Sequence, residues 1–262
     1  MIAEALSGVN RSQVLKHLNS NAVTHVFALY DLQFDPEHSI VHIVFDNNHI
    51  NGYVLVYTAL DVPSVILECK KNAAEILLSH APENGFIMHA PPNILPIITR
   101  KYRSAQIYLE DWMLVRKGKQ RQYNSDNVHR LQPKRDASPL AKLLSTREDR
   151  PRTTAKKCAE MISKMPMWGV FVESQLVSYA GSFVQLPEAW MIGGVYTHPK
   201  HRDKGYATKA TSAVTQEALN NALQAVLFAR SDNTPALKAY RKIGYRKIGN
   251  KLWVDVGTGM KP

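Results

Sequence analysis

The sequence predicts an α+β protein in two domains, and three observations carry that reading. At 262 residues the chain exceeds the usual size of one domain. Runs with strand-like and helix-like periodicity are mixed through both halves. Between Arg116 and Arg135 the apolar periodicity stops and Lys, Arg, Gln and Asn take over, a composition shift of the kind that marks a linker. The expected divisions are residues 1–118, a linker over 119–134, and residues 135–262.

In the first half, Ser12 to Leu18 reads as a helix with Val14, Leu15 and Leu18 on one face. Val23–Leu29 and Ser39–Phe45 read as strands. Asp46-Asn47-Asn48 is the expected turn of a hairpin whose return strand is Gly52–Thr58. Val65–Glu68 is a short strand and Lys71 to His80 a helix. Gly85–His89, a Pro91-Pro92 break, a short helix near Leu95–Lys101, and strands at Ala105–Leu109 and Trp112–Arg116 complete this half. No catalytic motif stands out in it.

The second half opens on two helices, Ser138–Thr146 and Thr154–Met165. A hairpin follows, Trp168–Val172 and Leu176–Phe183, turning at Glu173-Ser174-Gln175. Then come strand Trp190–Thr197, a helix from Gly205 to Ala222, strand Ala225–Arg230, helix Pro235–Ile243 and strand Tyr245–Val254. Both halves share a plan of hairpin, strand and helix, which raises a duplicated fold as an expectation.

Composition sets the class. Apolar residues at 45% and charged residues at 21% are ordinary for a globular protein. Met1 to Gly8 carries no signal-peptide pattern, and no apolar run reaches the ~20 residues of a membrane span. Cys69 and Cys158 form neither a disulfide framework nor a spaced metal motif, so a reducing, cytoplasmic setting is expected. A net charge of +11 favours anionic partners, among which charge alone does not choose. The basic stretch before Arg135 lacks the interleaved aromatics of a nucleic-acid stacking platform, and nucleic acid is not the expected partner.

The informative segment runs from Gly193 to Thr208. A strand ends at Thr197, a turn follows with Pro199 in it, and a long helix starts near Gly205. Unbonded backbone N–H groups at a helix start, with the positive end of the helix dipole, make an anion site. Gly205 permits close approach of the backbone and Ala207 keeps the path narrow. Arg202 and Lys204 bring charge-assisted contacts. Neither a Walker A loop nor a three-glycine dinucleotide fingerprint is present. Gly193-Gly194 inside a strand points to a bulge or close ligand approach, with a packing constraint as the alternative. His198 and His201 flank the turn, with no third ligand at zinc spacing.

Arg202-Asp203-Lys204-Gly205-Tyr206-Ala207 resembles motif A of the GNAT N-acetyltransferase superfamily, Arg/Gln-x-x-Gly-x-Gly/Ala. A second stretch, Asn233 to Tyr245, is similar to that family's Asn-x-x-Ala-x-x-x-Tyr-x-x-x-Gly-Phe, with Tyr245 in place of Phe. The resemblance covers residues 135 to 255, and the arrangement with a divergent N-terminal half is similar to glycine N-acyltransferase-like members. It implies a GNAT-like mixed sheet with flanking helices in the C-terminal half, with a degenerate copy of that fold left open for the N-terminal half.

By that resemblance the co-substrate is acetyl-CoA. The segment Val195-Tyr196-Thr197 would flank its pantetheine arm, with the Val195 and Thr197 backbones bonding the amides. Arg202, Asp203, Lys204, Gly205, Tyr206, Ala207 and Thr208 would hold the pyrophosphate. Asn233 would bond pantetheine, cap the following helix, or do both. Ala236 is small where the cofactor passes. Tyr240 is the catalytic candidate, a phenol placed to protonate the departing thiolate, against the alternative that it only packs. The strand Trp190-Met191-Ile192 carries no carboxylate to serve as general base. Glu188 and Glu160 are the nearest acids, each also readable as a surface charge.

The expected activity is direct transfer of an acetyl group to a small-molecule or peptide amine, with no metal and no membrane partner. The N-terminal half would shape the acceptor site, cover it, or mediate a homodimer. Two other readings stand beside this one. A non-catalytic acyl-CoA sensor fits the missing base, and a basic nucleic-acid-binding protein fits the charge.

Overall fold

A computed structural model describes residues 1–123, 125–148 and 152–260. Two compact units divide the chain: Met1–Asp111 with Gly249–Pro262, and Trp112–Ile248. The chain thus returns to its first unit at the end.

The first unit begins with strand β1 (Ala3–Ala5) and helices α1 (Arg11–Ser20) and α2 (Val26–Phe34). Strands β2 (Ser39–Asp46) and β3 (His49–Tyr57) form the expected hairpin, with Asn47 and Asn48 both at positive φ as a tight turn requires. Next come β4 (Ser64–Cys69), α3 (Ala74–Leu78), β5 (Phe86–Ala90) and α4 (Leu95–Lys101). The sheet order is β1-β2-β3-β4-β5-β12, where β12 spans Arg246–Val256 and residues 252–256 pair with β5. Its core packs Val54, Leu67, Leu77, Phe86, Met88 and Val254.

Two expectations fail in this unit. Val23–Leu29 is not a strand, because Val26, Leu29 and Leu32 bury on one helical face at a spacing of three. Ala105–Leu109 and Trp112–Arg116 are one strand, β6 (Gln106–Arg116). The Glu110-Asp111 pair that interrupts its apolar run is buried and partnered. His89 Nδ1 lies 3.1 Å from Glu110 Oε2, and Asn250 Nδ2 donates to Asp111 Oδ1 at 2.9 Å.

The second unit contains β7 (Val128–Arg130), α5 (Pro133–Leu144), α6 (Ala155–Lys164), β8 (Met167–Val172) and β9 (Gln175–Gln185). It continues through β10 (Ala189–Thr197), α7 (Tyr206–Asn221), β11 (Gln224–Arg230) and α8 (Thr234–Ile243). The sheet order is β6-β11-β10-β9-β8-β7. Small residues Thr208, Thr211, Ser212 and Thr215 are buried along α7, so this helix approaches the sheet closely. Glu217 anchors it, accepting from Trp168 Nε1 at 2.6 Å and Arg130 Nε at 3.0 Å.

The expected linker 119–134 folds into this unit as far as it is described, Asn124 lying outside the described residues. Arg121 N donates to Ile243 O at 2.7 Å, Tyr123 N to Ser212 Oγ at 3.0 Å, and β7 pairs with β8. Polar composition misled here because the segment is held by backbone and glutamine hydrogen bonds, including Gln120 and Gln122 to Gln216. The expected boundaries at 118 and 135 likewise shift, since 112–134 joins the second unit and 249–262 the first.

Candidate active site

β10 and β11 pair in parallel only over Ala189–Met191 and Gln224–Val226. Both strands run on, to Thr197 and Arg230, without pairing to each other beyond that point. β10 stays with β9, but its register slips between Gly193 and Tyr196, and Gly194 takes φ +65°. Gly193 has a separate reason to be glycine: a Cβ there would lie within 3.1 Å of three Phe183 ring atoms. The bulge and the packing constraint therefore both hold, one at each glycine.

Past the parting lies a cleft of ≈ 750 Å³. Val195, Tyr196 and Thr197 line it from β10. From the turn and the start of α7 come Arg202, Asp203, Gly205, Tyr206, Ala207 and Thr208, and from the start of α8 Asn233 and Ala236. Tyr240 lines it from one turn further along α8. Among the sequence-predicted residues Lys204 alone is not in the lining; it is exposed in the turn.

The turn presents backbone rather than side chains. His198 Nδ1 accepts from Lys200 N at 3.1 Å, which tightens the chain after Pro199. Burial, followed by the charges of His201, Lys200 and Arg202, lowers the His198 pKa, so the imidazole stays neutral and able to accept. Asp203 and Gly205 are at φ +61° and +77°. Gly205 caps α7 without a side-chain hydrogen bond, and no acidic residue sits in the first turn. The first N–H groups of this 16-residue helix have no intrahelical acceptor, and a Cβ on Gly205 would meet nothing within 4 Å. The result is an open, positively polarised cradle that suits a phosphate.

On α8, Asn233 caps the helix by accepting from Ala236 N at 3.2 Å. Tyr240 is 6% exposed, with its ring 6.2 Å from that of Tyr245, whose hydroxyl is 2.8 Å from Thr215 Oγ1. Burial pushes the Tyr240 phenol up to about 12, so it keeps its proton throughout the neutral range. Tyr196 points toward α5 and α6. Its hydroxyl is 2.9 Å from Thr146 Oγ1, and the Arg147 guanidinium lies 5.3 Å from its ring centroid.

Sequence reasoning missed Lys238 and Lys242, which also line the cleft, as does His201, which it had placed beside the turn. The available signal was that Lys238 and Lys242, four residues apart, share one face of α8. Asp203 is the one carboxylate among the described lining residues. Glu188 and Glu160 lie elsewhere, half-buried and exposed respectively. No group of three or more potential metal ligands occurs among the described residues. Charge follows the site. Trp112–Ile248 holds 24 lysines and arginines against 10 acidic residues, whereas the remainder holds 9 against 12.

Residues 168–254 match the family described as FR47-like protein. No curated protein matches the sequence. Among solved structures, a Drosophila protein is similar over 98% of this chain and 99% of its own, at 13% identity and TM-score 0.75. A GCN5-related N-acetyltransferase from Sphaerobacter thermophilus is similar over 99% and 98%, at 13% identity and TM-score 0.63. A tandem GNAT protein from the clavulanic acid biosynthesis pathway is similar over 97% and 98%, at 12% identity and TM-score 0.56. No helix among the described residues is long and apolar enough to cross a membrane.

Proposed function

We propose that this chain, which has the GNAT fold and matches the GNAT-related FR47-like family over residues 168–254, is an acyltransferase that moves an acetyl group from acetyl-CoA to an amine. The observation that carries the reading is the cleft past the parted strands, with the α7 cradle at its edge and a protonated phenol in its wall. The residues fit a diphosphate linked to a narrow arm. The α7 amides and Arg202 suit the diphosphate, and the unpaired edges of β10 and β11 offer hydrogen bonds to amides of the arm.

In the proposed reaction the amine nitrogen attacks the thioester carbonyl carbon, the C–S bond breaks, and the nitrogen loses a proton. Tyr240 supplies a hydrogen bond, and then a proton, to the sulfur as it leaves. A phenol near 12 is a weaker acid than a free one, so hydrogen bonding to the developing anion is the larger part of its contribution. Because Asp203 is the one carboxylate in the described lining, the amine enters neutral and the proton its nitrogen releases after attack leaves through water. That same scarcity favours a second reading, a sensor that binds acyl-CoA without turnover.

The test pairs calorimetric titration of acetyl-CoA with release of free thiol across a panel of amines. Gly205→Glu puts a carboxylate into the cradle and should weaken acetyl-CoA by 10²-fold or more, on the order of two or three lost charge-assisted contacts. Unchanged affinity in a folded variant would remove the assignment. Tight binding with no thiol release for any amine selects the sensor.

A further inference from the structure

We propose that the second unit carries a docking surface for an anionic lipid bilayer, at the end of α7 remote from the cradle. The surface is assembled from stretches that are distant in sequence. Residues 116–121 leave β6 and lie along the end of α8. Lys117 N donates to Leu223 O at 3.1 Å, and Arg121 N to Ile243 O at 2.7 Å. Lys119 O is so near Gly244 that a Cβ there would stand 2.6 Å from it. These contacts gather Arg116, Lys117, Lys119 and Arg121 beside Arg241 and Arg246, and all six are exposed. None of the six side chains makes an ion pair or hydrogen bond among the described residues. The sequence has no Asp or Glu from Trp112 to Ser125 or from Asn233 to Val254. Glu188 borders the face, half-buried and next to Pro187, whose O accepts from Leu223 N at 3.3 Å.

Charge alone suits any polyanion, and the apolar side chains choose among them. Leu223, 66% exposed, sits beside Lys117, and Ile248, 50% exposed, is two positions after Arg246 on the same side of β12. Aliphatic side chains held in water among cations gain by entering the boundary between lipid headgroups and acyl chains, while the cations stay with the phosphates. Each Lys or Arg near such a surface adds attraction that salt screens. A nucleic acid makes no use of Leu223 and Ile248, because its bases stack on aromatic rings. Tyr123, the aromatic residue that follows the basic stretch, turns its hydroxyl to Lys242 O at 3.4 Å. The attachment is peripheral, and the cradle lies about 24 Å away along the 16-residue helix. The sequence pointed away from a membrane because it has no spanning run; this face needs none.

The experiment sediments the full chain with vesicles of phosphatidylcholine alone and with about 30% phosphatidylserine added. Wild type should pellet with the second kind only, and raised salt should release it. Two variants, Lys117→Gln/Lys119→Gln and Leu223→Ser/Ile248→Ser, change the two parts of the face separately at exposed positions, and both should melt as wild type does. Each should raise the lipid concentration at half-binding roughly tenfold. Wild type that pellets with neither vesicle, or equally with both, overturns the proposal. An aliphatic variant that binds vesicles like wild type overturns it too. If a duplex oligonucleotide then competes for the lysine-dependent binding, the face is a nucleic-acid surface instead.

Discussion

β4 and β5 run parallel over Ser64–Ile66 and Ile87–His89 and then part, as β10 and β11 do over Ala189–Met191 and Gln224–Val226. Each first strand leads through a turn into a helix, and each second strand leads through a turn into another. Beyond the parting the two copies differ. In the second unit a 16-residue helix begins at an uncapped glycine beside a cleft. In the first, α3 has five residues, and the space past the end of β5 is crossed by side chains. Glu68, two positions beyond the last β4 pairing, is joined to Lys251, one position beyond the last β12 pairing with β5. Lys251 Nζ also donates to Thr24 O at 3.0 Å, and Phe27 stacks on His89 with centroids 5.6 Å apart. One plan therefore yields an open gap where backbone is left unpaired, and a closed one crossed by the Glu68–Lys251 ion pair. The excess of positive charge sits wholly with the open copy.

The closed copy is the easier to break. Lys251→Met strands the Glu68 carboxylate, whose side chain is only 15% exposed, and should cost the first unit about 3 kcal/mol, the low end for breaking a buried pair. Chemical denaturation checks this, and Glu68→Gln combined with Lys251→Met should recover part of the loss. Next in size, Tyr240→Phe tests the open copy. It keeps the ring in its packing against Tyr245 and should slow transfer by roughly 10²-fold with little change in acetyl-CoA affinity. Near wild-type turnover would make Tyr240 a packing residue.

The smallest effect is a slope with pH in the first unit. Burial, with the charges of His17 and Lys251, pushes His25 down to about 3, while its Nδ1 is 2.8 Å from the Tyr53 hydroxyl. Only the unfolded chain takes up that proton between pH 6.5 and about 3, so His25 subtracts stability as pH falls through this window. Asp31 opposes it. Burial and then Asp35 push Asp31 up to about 7, so the folded chain takes its proton first and gains stability as pH falls from about 7 to 3.8. Asp31→Asn removes the gain. Thermal melts should show the stability of that variant falling more steeply than that of wild type below pH 6.5, by up to ~1.4 kcal/mol per pH unit. Parallel pH profiles for the two proteins would refute the opposition.

The turns and the α7 cradle were legible because they depend on local chemistry. Asn47-Asn48 and Glu173-Ser174 adopt positive φ in hairpin turns, and Gly205 does so at the head of a helix. The linker and the domain boundaries were not legible, because nothing local in Gln120 or Gln122 announces a partner as distant in sequence as Gln216. α2 was hidden by length. Seven residues, Val23 to Leu29, read as a β-branched apolar run, and only Leu32 reveals the helical spacing. Lys238 and Lys242 were visible as charges, but their place in the cleft depends on the α8 axis, which Asn233 and Pro235 start but do not aim.

Completion of the first sheet by residues 252–256 sets an order on synthesis. β5 emerges from the ribosome early, yet the strand that covers its second edge is translated after the whole of Trp112–Ile248. At roughly 5–20 residues per second, that edge stays uncovered for about ten seconds or more, open to other strands in a crowded cell. A premature stop near Gly249 would therefore leave the cleft-bearing unit encoded in full and take its toll at the opposite end of the polypeptide, on residues translated first.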